Sequence, residues 1–160
     1  MTGVVALPTV ADTLAFGERL GRQLLAGDLV LLAGPLGAGK TVLARGIAAG
    51  MGVVGAVSSP TFVIARVHRP AEPHQVPLVH VDAYRIGDDL DQLDGLDLDT
   101  DLVDAAVVVE WGEGVAEALS VDHLLIRLGR RDDEVREAEL VPHGSWAGRL
   151  IGVCPEGSSA

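Results

Sequence analysis

Leu29-Val30-Leu31-Leu32-Ala33-Gly34-Pro35-Leu36-Gly37-Ala38-Gly39-Lys40-Thr41 is the stretch that decides the fold. Its second part, Gly34 to Thr41, satisfies G-x-x-x-x-G-K-[ST], the phosphate-binding loop. Chance placement of Gly, Gly, Lys and Ser/Thr at those positions has odds on the order of 1 in 10⁴–10⁵. Its first part is a short apolar run of the kind that forms a buried parallel strand. Beyond it, Thr41 to Met51 carries Val42, Leu43, Ile47 and Ala48 at helix-like spacing. Strand, glycine loop and helix are the context the motif needs. In that context loop amides wrap a phosphate, and the helix N-terminus adds the positive end of its dipole. The plain alternative is a glycine-rich turn that binds nothing, and the flanking strand and helix disfavour it.

Lys40 is the only lysine; of 12 cationic side chains the other eleven are Arg. A chain that has otherwise dispensed with lysine keeps one where a compact point charge suits nucleotide phosphates better than a planar fork. Heavy Ala, Gly and Val use fits a GC-rich coding bias, against which the surviving Lys40 is more informative.

The 160 residues suggest a single domain, 1–160, with a sizeable core, and composition from about 152 to 160 suggests a flexible tail. A net charge of −11 argues against unaided binding of nucleic acid or of an anionic membrane surface. One cysteine, Cys154, excludes an internal disulfide and a cysteine metal cluster, so a reducing cytoplasm is expected. There is no signal-like start and no apolar stretch long enough to span a bilayer.

Val10 to Ala26 reads as an amphipathic helix with Leu14, Gly17, Leu20 and Leu24 on one side and Thr9 or Asp12 as its cap. Val57 to Val67 is β-rich, and Arg69 to Pro77 reads as a loop or hairpin. Val76 to Val81 and Ala105 to Val109 read as strands ending at Asp82 and Glu110. Gly87 to Asp104 suggests a short helix or two with a solvated acidic face. His123 to Leu128 and Val135 to Val141 read as two further strands, paired with each other. The expected fold is α/β: a three-layer, P-loop NTPase-like domain with a mostly parallel central sheet and antiparallel edge strands. A ligand would lie beyond the carboxyl ends of the strands.

A phosphate loop needs an acid to hold Mg²⁺ beside the Thr41 hydroxyl. Asp82 and Glu110 both follow apolar runs, and either suits that task. His80, two before Asp82, would share its strand face. Thr61, after Pro60, could reach a γ-phosphate or Mg²⁺, or merely satisfy a local turn. Phe62, Tyr84 and Trp111, three of only five aromatic residues, fall beside these candidates. Asp97, Asp99 and Asp101 have the D-x-D-x-D start of a calcium loop, but Leu102 and Val108 occupy the positions needing Gly and Glu. The five histidines show no metal-ligand spacing. The chain lacks asparagine, so the N-K-x-D guanine motif cannot be present and ATP is the expected nucleotide.

GPLGAGKT, SSPTF, HVDAYR and VEWGE occur in that order, and from about Thr13 to Arg131 the chain resembles the bacterial TsaE (YjeE) family, the ATPase component of tRNA threonylcarbamoyladenosine synthesis. The resemblance implies a compact P-loop fold with weak Mg²⁺-dependent ATPase activity. It implies work with the TsaB–TsaD pair, in which TsaD transfers the carbamoyl group to adenosine 37 of ANN-decoding tRNAs, with tRNA met only through those partners. Gly37, Ala38, Gly39, Lys40, Thr41 and Val42 would bind phosphate. Thr41 and Glu110 would ligate Mg²⁺, Asp82 would act near the γ-phosphate or the attacking water, and Thr61 would be a switch-like contact. Thr13 would lie near the adenine, Trp111 would flank the nucleotide, and Arg130 or Arg131 would pack on the base. Pro35 replaces a more usual Asp and Gly112 a more usual Pro, which bears on loop stiffness and turnover. Two other readings stay open: a small-molecule kinase, for which the Arg130-Arg131 pair would serve as a lid clamp, and an ATP-gated adaptor that does not hydrolyse.

Overall fold

The computed structural model describes residues 3–35, 39–53, 65–72, 75–82, 103–110, 120–131, 133 and 135–149. Its centre is one seven-stranded sheet with two helices against it. The elements run β1 (Gly3–Leu7), α1 (Val10–Gln23), β2 (Leu29–Ala33), α2 (Lys40–Gly50), β3 (Ala65–His68), β4 (Leu78–Asp82), β5 (Ala106–Glu110), β6 (His123–Arg130) and β7 (Arg136–His143). A 3-10 helix, Gly144–Gly148, closes the described chain. Spatial order is β1-β7-β6-β2-β5-β4-β3. The four central strands β6, β2, β5 and β4 are mutually parallel. β7, β1 and β3 add antiparallel edges. The expected α/β architecture therefore stands.

β2 and β5 are buried along their whole length, as a strand covered on both faces must be. On one face Val30, Leu32, Ala106, Val108, Ile126 and Leu140 pack with Phe16 and Leu20 of α1 and Leu43 and Ile47 of α2. On the other, Leu29, Leu31, Val79, Val107 and Val109 form a second buried cluster. The side-chain period of two assigns Val108 and Glu110 to the helix-covered face, and the register brings His80 opposite Val108 and Asp82 opposite Glu110.

Thr9 caps α1 in a reciprocal box. The Asp12 amide donates to Thr9 Oγ1 at 3.2 Å, and the Thr9 amide donates to Asp12 Oδ2 at 3.0 Å. The two helices approach until backbone meets backbone. A Cβ on Gly21 would lie 2.2 Å from the Ile47 carbonyl oxygen, and one on Gly50 2.1 Å from that of Glu18. Glycine at these positions is a packing requirement, and it sets how α2, with the phosphate loop at its start, sits on the sheet.

Two elements were not foreseen. β1 alternates buried and exposed residues, with Val5 and Leu7 in the core. The 3-10 helix buries Trp146. Arg149 lies 3.8 Å over the Trp146 ring and grips Asp28 through two contacts, Nη1–Oδ1 at 2.7 Å and Nη2–Oδ2 at 2.8 Å. Leu36, Gly37, Ala38, Thr61, Phe62, Tyr84, Trp111, Gly112, most of the acidic segment 87–104 and the tail 152–160 lie outside the described residues.

Candidate functional site

Because β2, β4, β5 and β6 are parallel, their carboxyl ends share one edge of the sheet. Ala33 leads into the loop, Asp82 ends β4, Glu110 ends β5 and Arg130 ends β6. Gly39 precedes α2 at φ 105°, a left-handed conformation that strains any side-chain-bearing residue. α2 starts at Lys40, and the Leu43 amide closes its first turn on the Gly39 carbonyl at 2.9 Å.

Lys40 is only 4% exposed, and its ammonium donates to the carbonyls of Gly34 at 2.7 Å and Pro35 at 2.9 Å. It thereby ties the end of α2 to the start of its own loop. Burial pushes the Lys40 pKa below the ordinary 10.5, against the opposing fields of Glu110 and Asp82. The ammonium therefore sits within the field of both strand-end carboxylates.

Glu110 is 3% exposed, and its two oxygens have different partners. Oε2 is hydrogen-bonded to His80 Nε2, while Oε1 accepts from the Thr41 hydroxyl at 3.5 Å. His80 is fully buried. Asp82, partly buried, is the in-register neighbour of Glu110. Three of the residues proposed for phosphate and metal chemistry, Lys40, Thr41 and Glu110, are therefore brought together with Asp82 alongside.

The donor set suits magnesium. Both available atoms, Thr41 Oγ1 and Glu110 Oε1, are hard oxygens. Adjacent ligands of an octahedral Mg²⁺ at 2.0–2.1 Å lie about 3 Å apart, so the 3.5 Å separation needs only a small side-chain adjustment. Among the described residues there is no cluster of three or more His, Cys, Asp or Glu able to hold a metal without a ligand's own oxygens.

Thr13 lies in the first turn of α1, buried, with its hydroxyl donating to the Thr9 carbonyl at 3.4 Å. The turn follows β1, whose Leu7 end pairs with Arg136 at the same sheet edge. Val42 belongs to the first turn of α2. Arg131 is tied to Asp133, Nε to Oδ1 at 3.1 Å, on the exposed turn between β6 and β7. That hydrogen bond raises the Arg131 pKa and lowers that of Asp133. The arginine that approaches the loop is Arg136, whose Nη1 lies 3.8 Å from where a Cβ on Gly39 would stand. Sequence reading passed over Arg136. The available signal was its place in phase with Ala138 and Leu140, on the inward face of β7.

The family described as "Threonylcarbamoyl adenosine biosynthesis protein TsaE" matches residues 7–138. The chain belongs to the TsaE family. The protein named tRNA threonylcarbamoyladenosine biosynthesis protein TsaE of Mycobacterium tuberculosis H37Rv is 62% identical over 133 residues, covering 80% of this chain and 79% of its own. The Streptomyces coelicolor protein of the same name is 54% identical over 136 residues, covering 82% and 91%. That of Bacillus subtilis is 36% identical over 119 residues, covering 74% and 72%. The fold matches the crystal structure of Bacillus subtilis YdiB at a TM-score of 0.77 and 27% identity, over 94% of this chain and 92% of that one. The TsaE match runs from the last residue of β1 into β7, so it contains the loop, both strand-end acids and Arg136. No described helix is long and apolar enough to cross a membrane.

Proposed function

We propose that this TsaE family member binds Mg²⁺·ATP at the edge formed by Gly39, Lys40, Thr41, Asp82 and Glu110, and hydrolyses it slowly in the cytoplasm in support of threonylcarbamoylation of adenosine 37 in ANN-decoding tRNAs. The observation that carries the reading is the division of Glu110: one oxygen held by His80, the other turned to the Thr41 hydroxyl at the mouth of the phosphate loop.

Lys40 binds the β- and γ-phosphates, exchanging loop carbonyls for phosphate oxygens. The amides of Gly37 to Val42 hold the same chain. Thr41 and Glu110 position the metal, which when bound neutralises charge that develops on the phosphate oxygens. Asp82, beside Glu110, orients the attacking water. Thr61 and Trp111 complete the switch contact and the flank of the nucleotide, and Thr13 lies toward the base. Turnover stays slow in isolation because part of the transition-state charge is left uncompensated until the TsaB–TsaD pair gates or completes the site. The acidic charge fits a protein that leaves tRNA to its partners.

The test is Lys40→Ala and Glu110→Ala in a reconstituted modification system, reading ATP turnover and modified adenosine. Loss of both is expected; full modification by both variants would overturn the reading. ATP turnover stimulated by a small metabolite, instead of by the partner pair, would favour a kinase. Sustained modification cycles with Asp82→Asn, which should still bind ATP, would favour a non-hydrolysing adaptor.

A further inference from the structure

Two buried ring nitrogens beside the site, His68 Nε2 and His80 Nδ1, have no hydrogen-bond partner among the described residues. A buried polar atom carries a desolvation cost unless a hydrogen bond offsets it. The two belong to one neighbourhood. Arg66 pairs with His80 across β3 and β4, and His80 with Val108 across β4 and β5, so all three point to the helix-covered face. His68, two residues from Arg66 on β3, shares that face and lies diagonally from His80, as His80 lies diagonally from Glu110. The imidazoles stand 6.3 Å apart between ring centroids, tilted by 38°. That is too far for a direct nitrogen-to-nitrogen hydrogen bond and suits one water between them. His80 Nε2 faces the Glu110 carboxylate, which accepts, so in the neutral ring Nε2 carries the proton and Nδ1 is an acceptor. Burial, helped by His80 and Arg66, lowers the His68 pKa. A neutral His68 with its proton on Nε2 has a donor to offer where His80 needs one.

The structure assigns His68 a role as a positioning residue: through one buried water it donates to His80 Nδ1, which keeps the His80 proton on Nε2 and the Glu110 carboxylate turned with Oε1 toward Thr41. The water accepts from His68 Nε2 and donates to His80 Nδ1, so both nitrogens are satisfied at once. No proton is transferred. His68 touches neither nucleotide nor metal. It stands at the far end of the line His68–His80–Glu110–Thr41, which runs from β3 at the sheet edge to the first turn of α2. The assignment rests on the reading of Glu110 as the magnesium-side carboxylate and deepens it. The hydrogen bond at one ring nitrogen of a histidine decides which nitrogen holds the proton, and such outer contacts orient the ligands of a metal site.

The test reads the imidazole nitrogens of the full, isotope-labelled chain by NMR without nucleotide. In the wild type His80 should show a protonated Nε2 and an Nδ1 shifted as a hydrogen-bonded acceptor. In His68→Leu, which keeps a similar volume without a donor, that Nδ1 should move to the value of an unbonded ring nitrogen. His68→Gln, whose amide nitrogen can reach the place of Nε2, should keep the wild-type signature. Calorimetric affinity for Mg·ADP should fall about fivefold in His68→Leu, short of the roughly 10–100-fold typical when a partner bonded directly to a ligand is lost. Affinity for ADP in EDTA should stay at the wild-type value, and His68→Gln should restore the magnesium-dependent part. An unbonded Nδ1 or an unprotonated Nε2 on wild-type His80 would overturn the proposal without need of any variant. So would unchanged His80 resonances in His68→Leu, or an affinity that falls equally with magnesium and in EDTA. A wild type that binds ADP under neither condition would overturn the nucleotide reading itself, and the His80 resonances of the free protein would still decide whether His68 reaches it through water.

Discussion

His80 Nε2 and Glu110 Oε2 are hydrogen-bonded diagonally across the β4–β5 pair, both residues almost fully out of water. The bond fixes the carboxylate so that Oε1 alone is presented to Thr41. Orientation of a ligating carboxylate by an outer hydrogen bond is a common way to tune a metal site. His80→Ala leaves Glu110 without that partner in a buried place, at a stability cost of about 1–3 kcal/mol. It should also weaken Mg·ATP binding far more than binding of ADP in EDTA. His80→Gln, which can still donate, should retain most of the magnesium-dependent part. Chemical denaturation and paired titrations with magnesium or EDTA check this; equal losses in EDTA would reduce His80 to packing.

The α1–α2 contact makes a different prediction. A methyl at Gly21 would sit 2.2 Å from the Ile47 carbonyl oxygen, which belongs to helix backbone and cannot swing aside. Gly21→Ala should force the helices apart and cost about 1–3 kcal/mol, the usual range for overpacking. Gly129→Ala is the control. Nothing lies within 4 Å of its Cβ, so the change should be neutral within about 0.5 kcal/mol. Because α2 carries the phosphate loop at its start, Gly21→Ala should weaken nucleotide affinity as well, whereas Gly129→Ala should not. Equal stability of the two variants would show that the interface has room to adjust.

What could be read from the chain follows from how local each signal is. The buried strand, loop and helix around Lys40 form a contiguous signature, so α2, β2 and the site edge were legible. β4 and β5 were legible because each ends an apolar run with an acid, and the β6–β7 pairing because the two runs are close in sequence. β1 was missed because Gly3–Leu7 is only five residues long and its partner, β7, lies at the other end of the chain. Trp146 was missed because a 3-10 helix has no long period to detect. Arg136 was passed over because the adjacent pair Arg130 and Arg131 stands out in a sequence, whereas facing and register come from pairing with β6. The apolar runs alone left Asp82 and Glu110 equivalent, and the resemblance to the TsaE family put Glu110 with Thr41; in the sheet it is Glu110 Oε1 that accepts from the Thr41 hydroxyl.

Arg149 sets the way the end of the described chain is fastened. Its two contacts with Asp28, a third bond to the Gln23 carbonyl at 2.7 Å and its stacking on Trp146 join the 3-10 helix to the turn before β2. Arg149→Lys keeps the charge and loses the planar fork and the stacking. A loss of about 1–2 kcal/mol is expected from denaturant unfolding, with nucleotide affinity unchanged, since this clamp lies at the sheet edge opposite the loop. A variant as stable as wild type would show that the Asp28 pair is solvent-screened and idle.

Lys40 should leave a proton signature on binding. Burial holds its pKa below 10.5 in the free protein, and phosphate oxygens would raise it again. Between the lowered value and the restored one, binding takes up a proton, so affinity falls as pH rises through that alkaline window. Below the lowered pKa the ammonium is charged in both states and Lys40 adds no pH dependence. The same sign governs the free protein. The unfolded chain binds this proton more tightly than the folded one, so the Lys40 contribution to stability improves as pH rises toward 10.5. Titration calorimetry of Mg·ADP in buffers of different ionisation heat, stepped from neutral pH toward the ordinary lysine value, should detect proton uptake that grows as pH rises. Lys40→Met should abolish nucleotide binding while leaving the free protein at least as stable at neutral pH. A Lys40→Met protein that still bound Mg·ADP with wild-type affinity would remove Lys40 from the site.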